Sequence, residues 1–445
     1  MSYLSIRGGR PLNGRIVVQC AKNSVLPILA AALLVEGQCR IVDCPCLSDV
    51  QAAAEILRHL GCTAAWDGDD LLVNARRVER WDIPEELMHK MRSSVIFLGP
   101  IVCRCGQAEL SHPGGCALGA RPIDLHLRAL AALGAEISEE NGRIHCRAPR
   151  LHGAEIALPF PSVGATENAM LAACGATGTT IIRNAAREPE IADLQAFLQK
   201  MGAAVHGAGT PTITVQGSST LHGCTHRCIG DRIAAATYLC AAAAAGGRVT
   251  VTGAAEEHLA AVSAALRDAG CDLRWEGERC TLASGGRLRA IPPVSTAPYP
   301  DFPTDAQALL MAALLRSEGE TLFTENLFES RYRHVPQLRR MGADIRLAGR
   351  QAAVRGVDAL HGAAVHCTDL RGGAALLIAA LCAEGTTEVY DIHHLSRGYQ
   401  DIAGDLRRLG AEIRSVETPA AERTHYGQTE QIQPQTPAGT VFVPL

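Results

Sequence analysis

The chain has 445 residues, of which 47% are hydrophobic and only 4% aromatic, with 42 basic and 46 acidic side chains. This length exceeds the size at which one hydrophobic core keeps growing, so the sequence predicts two domains of similar mass. A net charge of -4 with scattered lysines and arginines disfavours nucleic acid and anionic membranes as partners. Residues 1–10 lack a signal-peptide pattern and no stretch approaches the roughly 20 apolar residues that span a bilayer, which predicts a cytoplasmic protein.

An internal repeat runs through the whole chain in two interleaved registers. Helix-like segments end at Gly61, Gly134, Gly202, Gly270, Gly342 and Gly410, which are 73, 68, 68, 72 and 68 residues apart. A second series ends at Gly37, Gly106, Gly178, Gly247, Gly319 and Gly385, and runs rich in β-branched residues follow it. Glycine past an apolar periodic segment is typical of a helix C-terminus, because it adopts the left-handed conformation easily.

Each unit is therefore an α/β module with two helices and several short strands. Six such units divide naturally into three plus three. A linear solenoid is the weaker alternative, because solenoid repeats are usually about 20 to 50 residues long.

The first polar group of interest is Lys22, which stands ahead of an Ala- and Leu-rich predicted helix. Helix N-termini attract phosphate, and a lysine beside one adds a point charge. A solvated surface lysine is the structural alternative.

A glycine-flanked cysteine, Cys116, follows in the predicted loop between Ser111 and His126, with Arg121 close behind it. A thiol on a flexible loop beside a cation favours the thiolate, which suits proton transfer or covalent capture. The alternative is one more small apolar side chain, as we expect for most of the 17 cysteines.

Potential zinc ligands alternate at His222, Cys224, His226 and Cys228, a spacing that would place all four on one strand face. Structural zinc sites normally draw ligands from two separated pairs, so we disfavour metal binding here. No Walker-type or dinucleotide motif stands out. We expect no metal and no organic cofactor.

A proline-rich segment leads into Thr304 and Asp305, which open another Ala- and Leu-rich helix. A rigid segment before the helix could hold the Asp305 carboxylate in place to abstract a hydroxyl proton. A side-chain N-cap by Thr304 or Asp305 is the likelier reading of that segment alone. Further cations, at Arg232, Arg371 and Arg397, could converge on an anionic substrate or be plain surface charges.

In combination these motifs resemble the UDP-N-acetylglucosamine 1-carboxyvinyltransferases of the enolpyruvyl transferase family. The resemblance covers about Tyr3 to Val416, through Lys22-Asn23, Pro113-Gly114-Gly115-Cys116, Gly119-Ala120-Arg121-Pro122-Ile123-Asp124, Ser162-Val163-Gly164-Ala165-Thr166, Phe302-Pro303-Thr304-Asp305 and Arg397-Gly398-Tyr399. The sequence departs from the family at 234–236, where three alanines replace the usual Glu-Thr-Gly, and in the glutamine-rich tail.

The resemblance implies an α/β fold of two domains, each of three repeated α/β units, in an inside-out α/β barrel arrangement. Residues 22–229 would form the domain with the mobile cysteine loop, and residues 1–21 and 230–416 the second domain. Residues 417–445, which are rich in glutamine and proline and have no periodic apolar face, are predicted from their composition to be a disordered tail. The active site would lie in the cleft between the domains. The implied activity moves the enolpyruvyl group of phosphoenolpyruvate to the 3-hydroxyl of UDP-N-acetylglucosamine and releases phosphate, the first committed step of peptidoglycan synthesis.

The resemblance also implies a role for each matching residue. Cys116 would protonate or trap phosphoenolpyruvate, and Asp305 would receive the sugar hydroxyl proton. The phosphoenolpyruvate clamp would be Lys22, Arg121 and Arg397. The nucleotide-sugar site would be lined by Asn23, Arg92, Pro122, Ile123, Asp124, Leu125, Ser162, Val163, Gly164 and Leu327. Near the reaction centre would stand Asp49, Arg232, Asp369 and Arg371.

Two other functions remain open at this stage. One is enolpyruvyl transfer to shikimate phosphate or to a nucleoside; the Pro-Gly-Gly-Cys loop disfavours the shikimate branch, which lacks it. The other is a paralogue that binds nucleotide sugar as a sensor without turnover, which the combination of Lys22, Cys116, Asp305 and Arg397 disfavours.

Overall fold

The computed structural model describes residues 2–111, 123–217 and 220–417, with Arg92 described by its backbone only. The predicted site residues Cys116, Arg121 and Pro122 lie outside the described residues. So does the predicted tail, residues 417–445, except for Glu417, which the structure places at the end of a β-strand.

Short strands account for the β part of the fold, as the β-branched runs predict. They are β1 (Ser2–Arg7), β2 (Leu12–Val17), β3 (Gln38–Val42), β4 (Thr63–Asp67), β5 (Asp70–Asn74), β6 (Asp82–Ile83), β7 (Gln107–Ser111), β8 (Glu136–Glu140), β9 (Arg143–Arg147), β10 (Glu155–Ala157), β11 (Thr179–Arg183), β12 (Ala204–His206), β13 (Thr212–Gln216), β14 (Thr225–Arg227), β15 (Gly247–Thr252), β16 (Asp272–Glu276), β17 (Arg279–Ser284), β18 (Val294–Ser295), β19 (Glu320–Thr324), β20 (Asp344–Ala348), β21 (Gln351–Arg355), β22 (Ala364–His366), β23 (Thr386–Tyr390) and β24 (Glu412–Glu417).

The helices come in two kinds, one apolar all round and buried, the other amphipathic and lying outside. They are α1 (Lys22–Ala31), α2 (Ser48–His59), α3 (Glu85–Lys90), α4 (Leu98–Cys105), α5 (Asp124–Ala132), α6 (Val163–Cys174), α7 (Pro189–Lys200), α8 (Arg232–Ala245), α9 (Ala260–Asp268), α10 (Thr304–Ala313), α11 (Val335–Arg340), α12 (Leu370–Leu381) and α13 (Ile402–Arg408). Short 3-10 helices occupy Ala32–Leu34, Arg92–Phe97, Glu257–Leu259, Leu314–Arg316, Arg331–His334 and Ile392–Arg397. Among the described residues no helix is both long and apolar enough to cross a membrane.

Six four-stranded sheets confirm the six predicted units, and all six share one arrangement. An edge strand runs parallel to its neighbour, and the two strands beyond are antiparallel. The strand orders are β14-β3-β5-β4, β6-β7-β9-β8, β10-β11-β13-β12, β2-β15-β17-β16, β18-β19-β21-β20 and β22-β23-β1-β24.

Three strands complete units that lie far away in the sequence. β14 supplies the edge strand beside β3, so the first and third units of the N-terminal half are joined. β2 supplies the edge strand beside β15, and β1 lies between β23 and β24. The chain start therefore belongs to sheets of the C-terminal half.

Two hydrophobic cores follow from this strand exchange. One is built from buried residues between Cys20 and Cys228, the other from Leu4 to Val18 together with Ile233 to Ile413. The chain passes between them at residues 18–22 and 228–232, which we call the crossing segments. These pair with each other, because the Ala21 amide donates to the Ile229 carbonyl over 2.8 Å and the Asp231 amide to the Gln19 carbonyl over 2.8 Å. We propose that the cores correspond to the two predicted domains.

The first series of repeat glycines behaves as predicted, and the second does so only in part. The first series ends helices with φ between 92° and 100° at Gly61, Gly134, Gly202, Gly270, Gly342 and Gly410. The second series also has positive φ from Gly106 onward, but Gly37 does not. It marks a helix end directly only at Gly106 and beside Gly247. The helices before Gly178 and Gly385 end earlier, at Cys174 and Leu381, and a 3-10 turn stands between the helix and the glycine before Gly37 and Gly319.

Candidate active site

Several predicted site residues occupy the first turns of the buried central helices. Lys22 and Arg232 are the first residues of α1 and α8, and Asp305 and Arg371 are the second residues of α10 and α12. The remainder of each helix is apolar and buried, so the first turn is where its charged side chain lies. The free amides and the dipole at a helix N-terminus also favour anions there.

Asp49, the second residue of α2, binds cations from both halves of the molecule. Its carboxylate accepts from Lys22 Nζ at 3.3 Å and from Arg397 Nε and Nη2 at 2.9 and 3.3 Å. The Asp49 side chain is only 3% exposed. Burial alone would raise the pKa of Asp49, but Lys22 and Arg397 outweigh it and hold that pKa below its usual range. The carboxylate therefore stays ionised.

Lys22 is poised for an anion. Burial lowers the pKa of the Lys22 ammonium, Arg371 and Arg397 lower it further, and Asp49 acts in the opposite direction. The backbone amide of Lys22 donates to Asp231 Oδ2 at 3.3 Å, which fixes the start of α1 against the second crossing segment. An anionic ligand would replace the hydration that this buried ammonium has lost.

Asp305 is held by two arginines through a single oxygen. Its Oδ1 accepts from Arg331 Nη2 at 3.0 Å and from Arg371 Nε at 3.2 Å. Oδ2 has no hydrogen-bond partner among the residues that the structure describes, and the side chain is 32% exposed. Although burial would raise the pKa of Asp305, Arg371, Arg331 and Lys22 hold it well below its usual range. A carboxylate oriented this way can receive a proton at Oδ2.

The structure brings Arg371 to Asp305 through the cap of α12. Asp369 caps that helix, with Oδ1 accepting from the amides of Arg371 and Gly372, each at 3.0 Å. The predicted Asp369 therefore acts on Asp305 through Arg371, whose side chain is 6% exposed. Burial opposes the charge on Arg371, but the adjacent Asp305 raises the pKa of Arg371 above its usual range.

Arg232 lies apart from the Lys22–Asp49–Arg397 contacts. Its Nε and Nη2 donate to the two oxygens of Glu190 at 2.9 and 3.3 Å, and its guanidinium lies 5.8 Å from the centre of the Tyr299 ring. Arg232 is only 6% exposed, and its Nη1 has no hydrogen-bond partner within the described part of the chain. Arg232 thus joins the two cores and retains one unused donor.

The predicted nucleotide-sugar residues lie at the first turns of α5 and α6. Ser162 caps α6 by accepting from the Ala165 amide at 3.4 Å, and Val163 and Gly164 follow it. A Cβ at Gly164 would come within 2.9 Å of the His126 ring, so only glycine lets α6 approach α5 this closely. Ile123 is buried before α5, which starts with Asp124 and Leu125.

Comparisons with known proteins agree with this geometry. The sequence model of the EPSP synthase (3-phosphoshikimate 1-carboxyvinyltransferase) family matches residues 6–406. UDP-N-acetylglucosamine 1-carboxyvinyltransferase 2 of Caldanaerobacter subterraneus is 48% identical over 93% of this chain and 99% of its own. UDP-N-acetylglucosamine 1-carboxyvinyltransferase 1 of Symbiobacterium thermophilum is 49% identical over 92% of this chain and 94% of its own.

The chain belongs to the enolpyruvyl transferase family, among the UDP-N-acetylglucosamine 1-carboxyvinyltransferases. Solved structures agree. The enolpyruvyl transferase NikO from Streptomyces tendae superposes with a TM-score of 0.85 at 27% identity, covering 94% of this chain and 99% of its own. EPSP synthase from Acinetobacter baumannii, at 18% identity, has a TM-score of 0.73 over 94% of this chain and 100% of its own, and supports the fold alone.

The enolpyruvyl transferase site contains two residues that the sequence did not reveal. Arg331, on a 3-10 helix, donates to Asp305 and to the Thr304 carbonyl, and its side chain is 3% exposed. Glu190, at the start of α7, pairs with Arg232. The one available signal was weak: Arg331 is followed by two aromatic residues, Tyr332 and His334, that are both buried.

Not every predicted site residue is tied into these contacts. Asn23, beside Lys22 in α1, and Leu327 are half-buried, and the Leu327 amide donates to Glu325 Oε1 at 2.9 Å. No described hydrogen bond joins either of them to the Asp49 or Asp305 group. The side chain of Arg92 is outside the description.

Two structural alternatives from the sequence were wrong. Neither Thr304 nor Asp305 caps α10: Pro303 precedes the helix, no side chain caps it, and the Thr304 hydroxyl donates to Glu325 Oε2 at 2.9 Å. The four potential zinc ligands also do not share a face, because the strand covers only Thr225–Arg227 and His222 is exposed while His226 and Cys228 are buried.

Proposed function

We propose that this protein transfers the enolpyruvyl group of phosphoenolpyruvate to the 3-hydroxyl of UDP-N-acetylglucosamine and releases phosphate. The observation that carries the proposal is the pair of carboxylates that cations hold in place: Asp49 binds Lys22 and Arg397, one from each half of the chain, and Asp305 binds Arg331 and Arg371. The names of the relatives that are 48% and 49% identical support the same acceptor. The proposed reaction is the first committed step of peptidoglycan synthesis.

Lys22 and Arg397 are the proposed clamp for phosphoenolpyruvate, together with Arg121. In the free protein Asp49 occupies the inward-facing donors of Lys22 and Arg397. Asp49 thus keeps two cations charged and oriented without substrate. A phosphate or carboxylate arriving beside them needs little rearrangement, which is how preorganised charge stabilises a transition state.

Asp305 is the proposed acceptor of the sugar hydroxyl proton. In the free protein its pKa is too low for a strong base. A trianionic substrate bound beside Lys22 and Arg371 would offset their charge and so raise the pKa of Asp305. The base would then become effective only when phosphoenolpyruvate is present.

The reaction proceeds as an addition followed by an elimination. The Cys116 thiol gives a proton to the methylene carbon of the enol, the sugar oxygen bonds to the adjacent carbon, and the hydroxyl proton passes to Asp305 Oδ2. The methyl group then returns a proton to the Cys116 thiolate and the carbon–oxygen bond to phosphate breaks, which restores the enol. Lys22, Arg371 and Arg397 stabilise the negative charge of the departing phosphate.

The acceptor is tested by measuring phosphate release from phosphoenolpyruvate with UDP-N-acetylglucosamine, shikimate 3-phosphate or UMP. Release is expected with UDP-N-acetylglucosamine alone. Asp305→Asn should lower kcat by about 100-fold or more, which is within the rate enhancement that a positioned general base usually provides. Asp301→Asn, which changes an exposed carboxylate of the same proline-rich segment, should leave kcat unchanged. Release with shikimate 3-phosphate instead would contradict the proposal.

Cys116 is the proposed residue that protonates or traps phosphoenolpyruvate. An epoxide phosphonate that mimics phosphoenolpyruvate should alkylate it, and faster when UDP-N-acetylglucosamine is present. Cys46, the one exposed cysteine among those described, provides the internal comparison. Mass spectrometry that finds the label on Cys46, or no label on Cys116, would count against this role.

The proposed partners are phosphoenolpyruvate and UDP-N-acetylglucosamine, with neither nucleic acid nor a membrane. A cytoplasmic location is part of the proposal. The scattered lysines and arginines of the chain support the absence of nucleic-acid and membrane partners.

A further inference from the structure

A second buried carboxylate, Asp193, lies behind the start of α1 and takes no part in the proposed chemistry. Its side chain is 5% exposed, and it sits on α7 of the N-terminal half. Oδ2 accepts from the Ile229 amide at 3.1 Å and from the Ser24 hydroxyl, while Oδ1 contacts His226 Nε2 at 2.9 Å. One carboxylate therefore joins α1, the second crossing segment and β14.

The tautomer of His226 follows from its other neighbour. Lys200 Nζ lies 3.1 Å from His226 Nδ1, and an ammonium can only donate. Nδ1 must therefore accept, so Nε2 carries the proton and donates to Asp193. The Phe197 ring packs edge-on against the imidazole, with 5.5 Å between the ring centres. His226 is thus fixed on both nitrogens and holds the Asp193 carboxylate in one orientation.

This contact set lies close to the proposed clamp in the chain. Ser24 is in the first turn of α1, two residues after Lys22, and its amide donates to the Ala21 carbonyl at 3.0 Å. Ile229, the other residue on Oδ2, accepts from the Ala21 amide at 2.8 Å. Asp193 therefore closes a ring of hydrogen bonds around the residue that precedes Lys22. The direction of the Lys22 side chain depends on that ring.

We propose that Asp193, oriented by His226, is a positioning residue for phosphoenolpyruvate binding: it fixes the Lys22 ammonium by tying the first turn of α1 to the second crossing segment. This inference rests on the proposed function of Lys22. It assigns Asp193 no contact with substrate. It predicts that loosening the tether weakens the grip on phosphoenolpyruvate more than the binding of the nucleotide sugar.

Ser24→Ala removes one of these bonds, and Ser263→Ala is its matched control. Both serines are fully buried in helices, and each makes one side-chain bond, Ser263 with Trp275 Nε1 at 3.1 Å. Ser263 lies on α9, away from the crossing segments. Any general loss of stability should therefore be similar in the two variants.

The expected result is a split between the two substrates. Ser24→Ala should lower kcat/KM for phosphoenolpyruvate by about tenfold or more, because a small misplacement of a charged group is costly. The KM for UDP-N-acetylglucosamine should change by less than about threefold, since that site lies mainly on α5 and α6. Ser263→Ala should change neither. Equal phosphoenolpyruvate kinetics in the two variants would overturn the inference.

Hydrogen exchange separates this inference from the proposed function, because it needs no turnover. In the full-length protein, Ser24→Ala should speed amide exchange at residues 22–25 and 229, while Ser263→Ala should not. A wild-type protein without transferase activity would refute the proposed function only. Unchanged exchange at these amides would refute the tether.

A bound metal is the competing account of the same residues. Ligand atoms of Asp193, His226 and Cys228 lie within 4.8 Å of one another. The hydrogen bonds that engage both imidazole nitrogens favour the tether, because a metal would have to displace one of them. Elemental analysis should find no stoichiometric zinc in the purified protein. One zinc per chain, lost in His226→Asn, would overturn the inference.

Discussion

Asp49 shows how one residue can serve both stability and binding. Its carboxylate is almost fully buried, yet it stays ionised because Lys22 and Arg397 share it. Removing one member of a buried ion pair leaves the other charges unpaired, which costs far more than the pair contributes. The same contacts that hold the clamp in place therefore stabilise the junction between the two cores.

Asp49→Asn should lower the free energy of unfolding by about 3 kcal/mol at pH 7. The matched control is Asp67→Asn, which breaks the exposed Arg40–Asp67 contact and should cost about 0 to 1 kcal/mol. Denaturant unfolding measures both. Because the pKa of Asp49 is depressed in the folded state, its contribution is present above the ordinary aspartate pKa and is lost as the pH falls. Equal losses in the two variants would contradict the account.

Arg331 should set the acid limb of the pH profile. Arg331 helps to hold the pKa of Asp305 down, so Arg331→Met should raise that pKa. The proposed role requires ionised Asp305, so the acid limb of kcat, which reports the complex in which bound substrate has already raised this pKa, should move to higher pH. Arg340→Met, which changes an exposed arginine nearby, should leave the limb in place. An unmoved limb in Arg331→Met would show that Asp305 does not limit the reaction.

Residue identities predicted only part of this site. Lys22, Asp305, Arg371 and Arg397 stand beside recognisable motifs, whereas Arg331 and Glu190 do not. Arg331 lies in a basic stretch that resembles a solvated turn, and Glu190 follows a proline where an acidic residue is common in any helix. Their partners, Asp305 and Arg232, are 26 and 42 residues away. Local pattern carries no information about such pairings.

At the scale of the element, the central helices explain why the charges meet. Helices such as α8, α10 and α12 pack against one another through alanine and leucine, so their charged residues are confined to the first turns. Arg232, Asp305 and Arg371 are those residues. The amides and dipole of a helix N-terminus add to the attraction of the neighbouring cations for an anion.

The glycines that end the outer helices should differ in tolerance to alanine. Gly61 and Gly270 both have φ of 100°, which costs about 1 to 2 kcal/mol for any other residue. A Cβ at Gly61 would also lie 3.0 Å from the Glu79 amide nitrogen, whereas at Gly270 its nearest neighbour is 3.9 Å away. Gly61→Ala should therefore be the less stable variant in denaturant unfolding. A more stable Gly61→Ala would contradict this packing argument.

Most helices and strands could be predicted because glycines and β-branched runs recur with the repeat. How the strands pair into sheets could not be predicted from those patterns. β14 pairs with β3, about 180 residues earlier in the chain. The end of α1 was misplaced because the 3-10 turn Ala32–Leu34 separates the helix from Gly37, just as Leu314–Arg316 separates α10 from Gly319. Which distant strand completes a sheet depends on which sheet edge is still unpaired once the rest of the unit has formed.

At the scale of the molecule, the two crossing segments connect the cores beside the proposed phosphoenolpyruvate clamp. Asp231, which caps α8, binds the Lys22 amide, and Arg397 of the second core binds Asp49 of the first. Substrate charge that engages Lys22 and Arg397 would therefore also change the contacts between the cores. Binding and the relative position of the two halves are coupled through the same few ion pairs.

The most direct test of the central claim is the structure of the product. The wild-type protein is incubated with phosphoenolpyruvate and an equimolar mixture of UDP-N-acetylglucosamine and shikimate 3-phosphate, and the products are analysed by NMR and mass spectrometry. We predict a nucleotide sugar that carries an enolpyruvyl ether at the 3-hydroxyl, with shikimate 3-phosphate unchanged. Recovery of unmodified UDP-N-acetylglucosamine beside an enolpyruvyl shikimate phosphate would contradict the account.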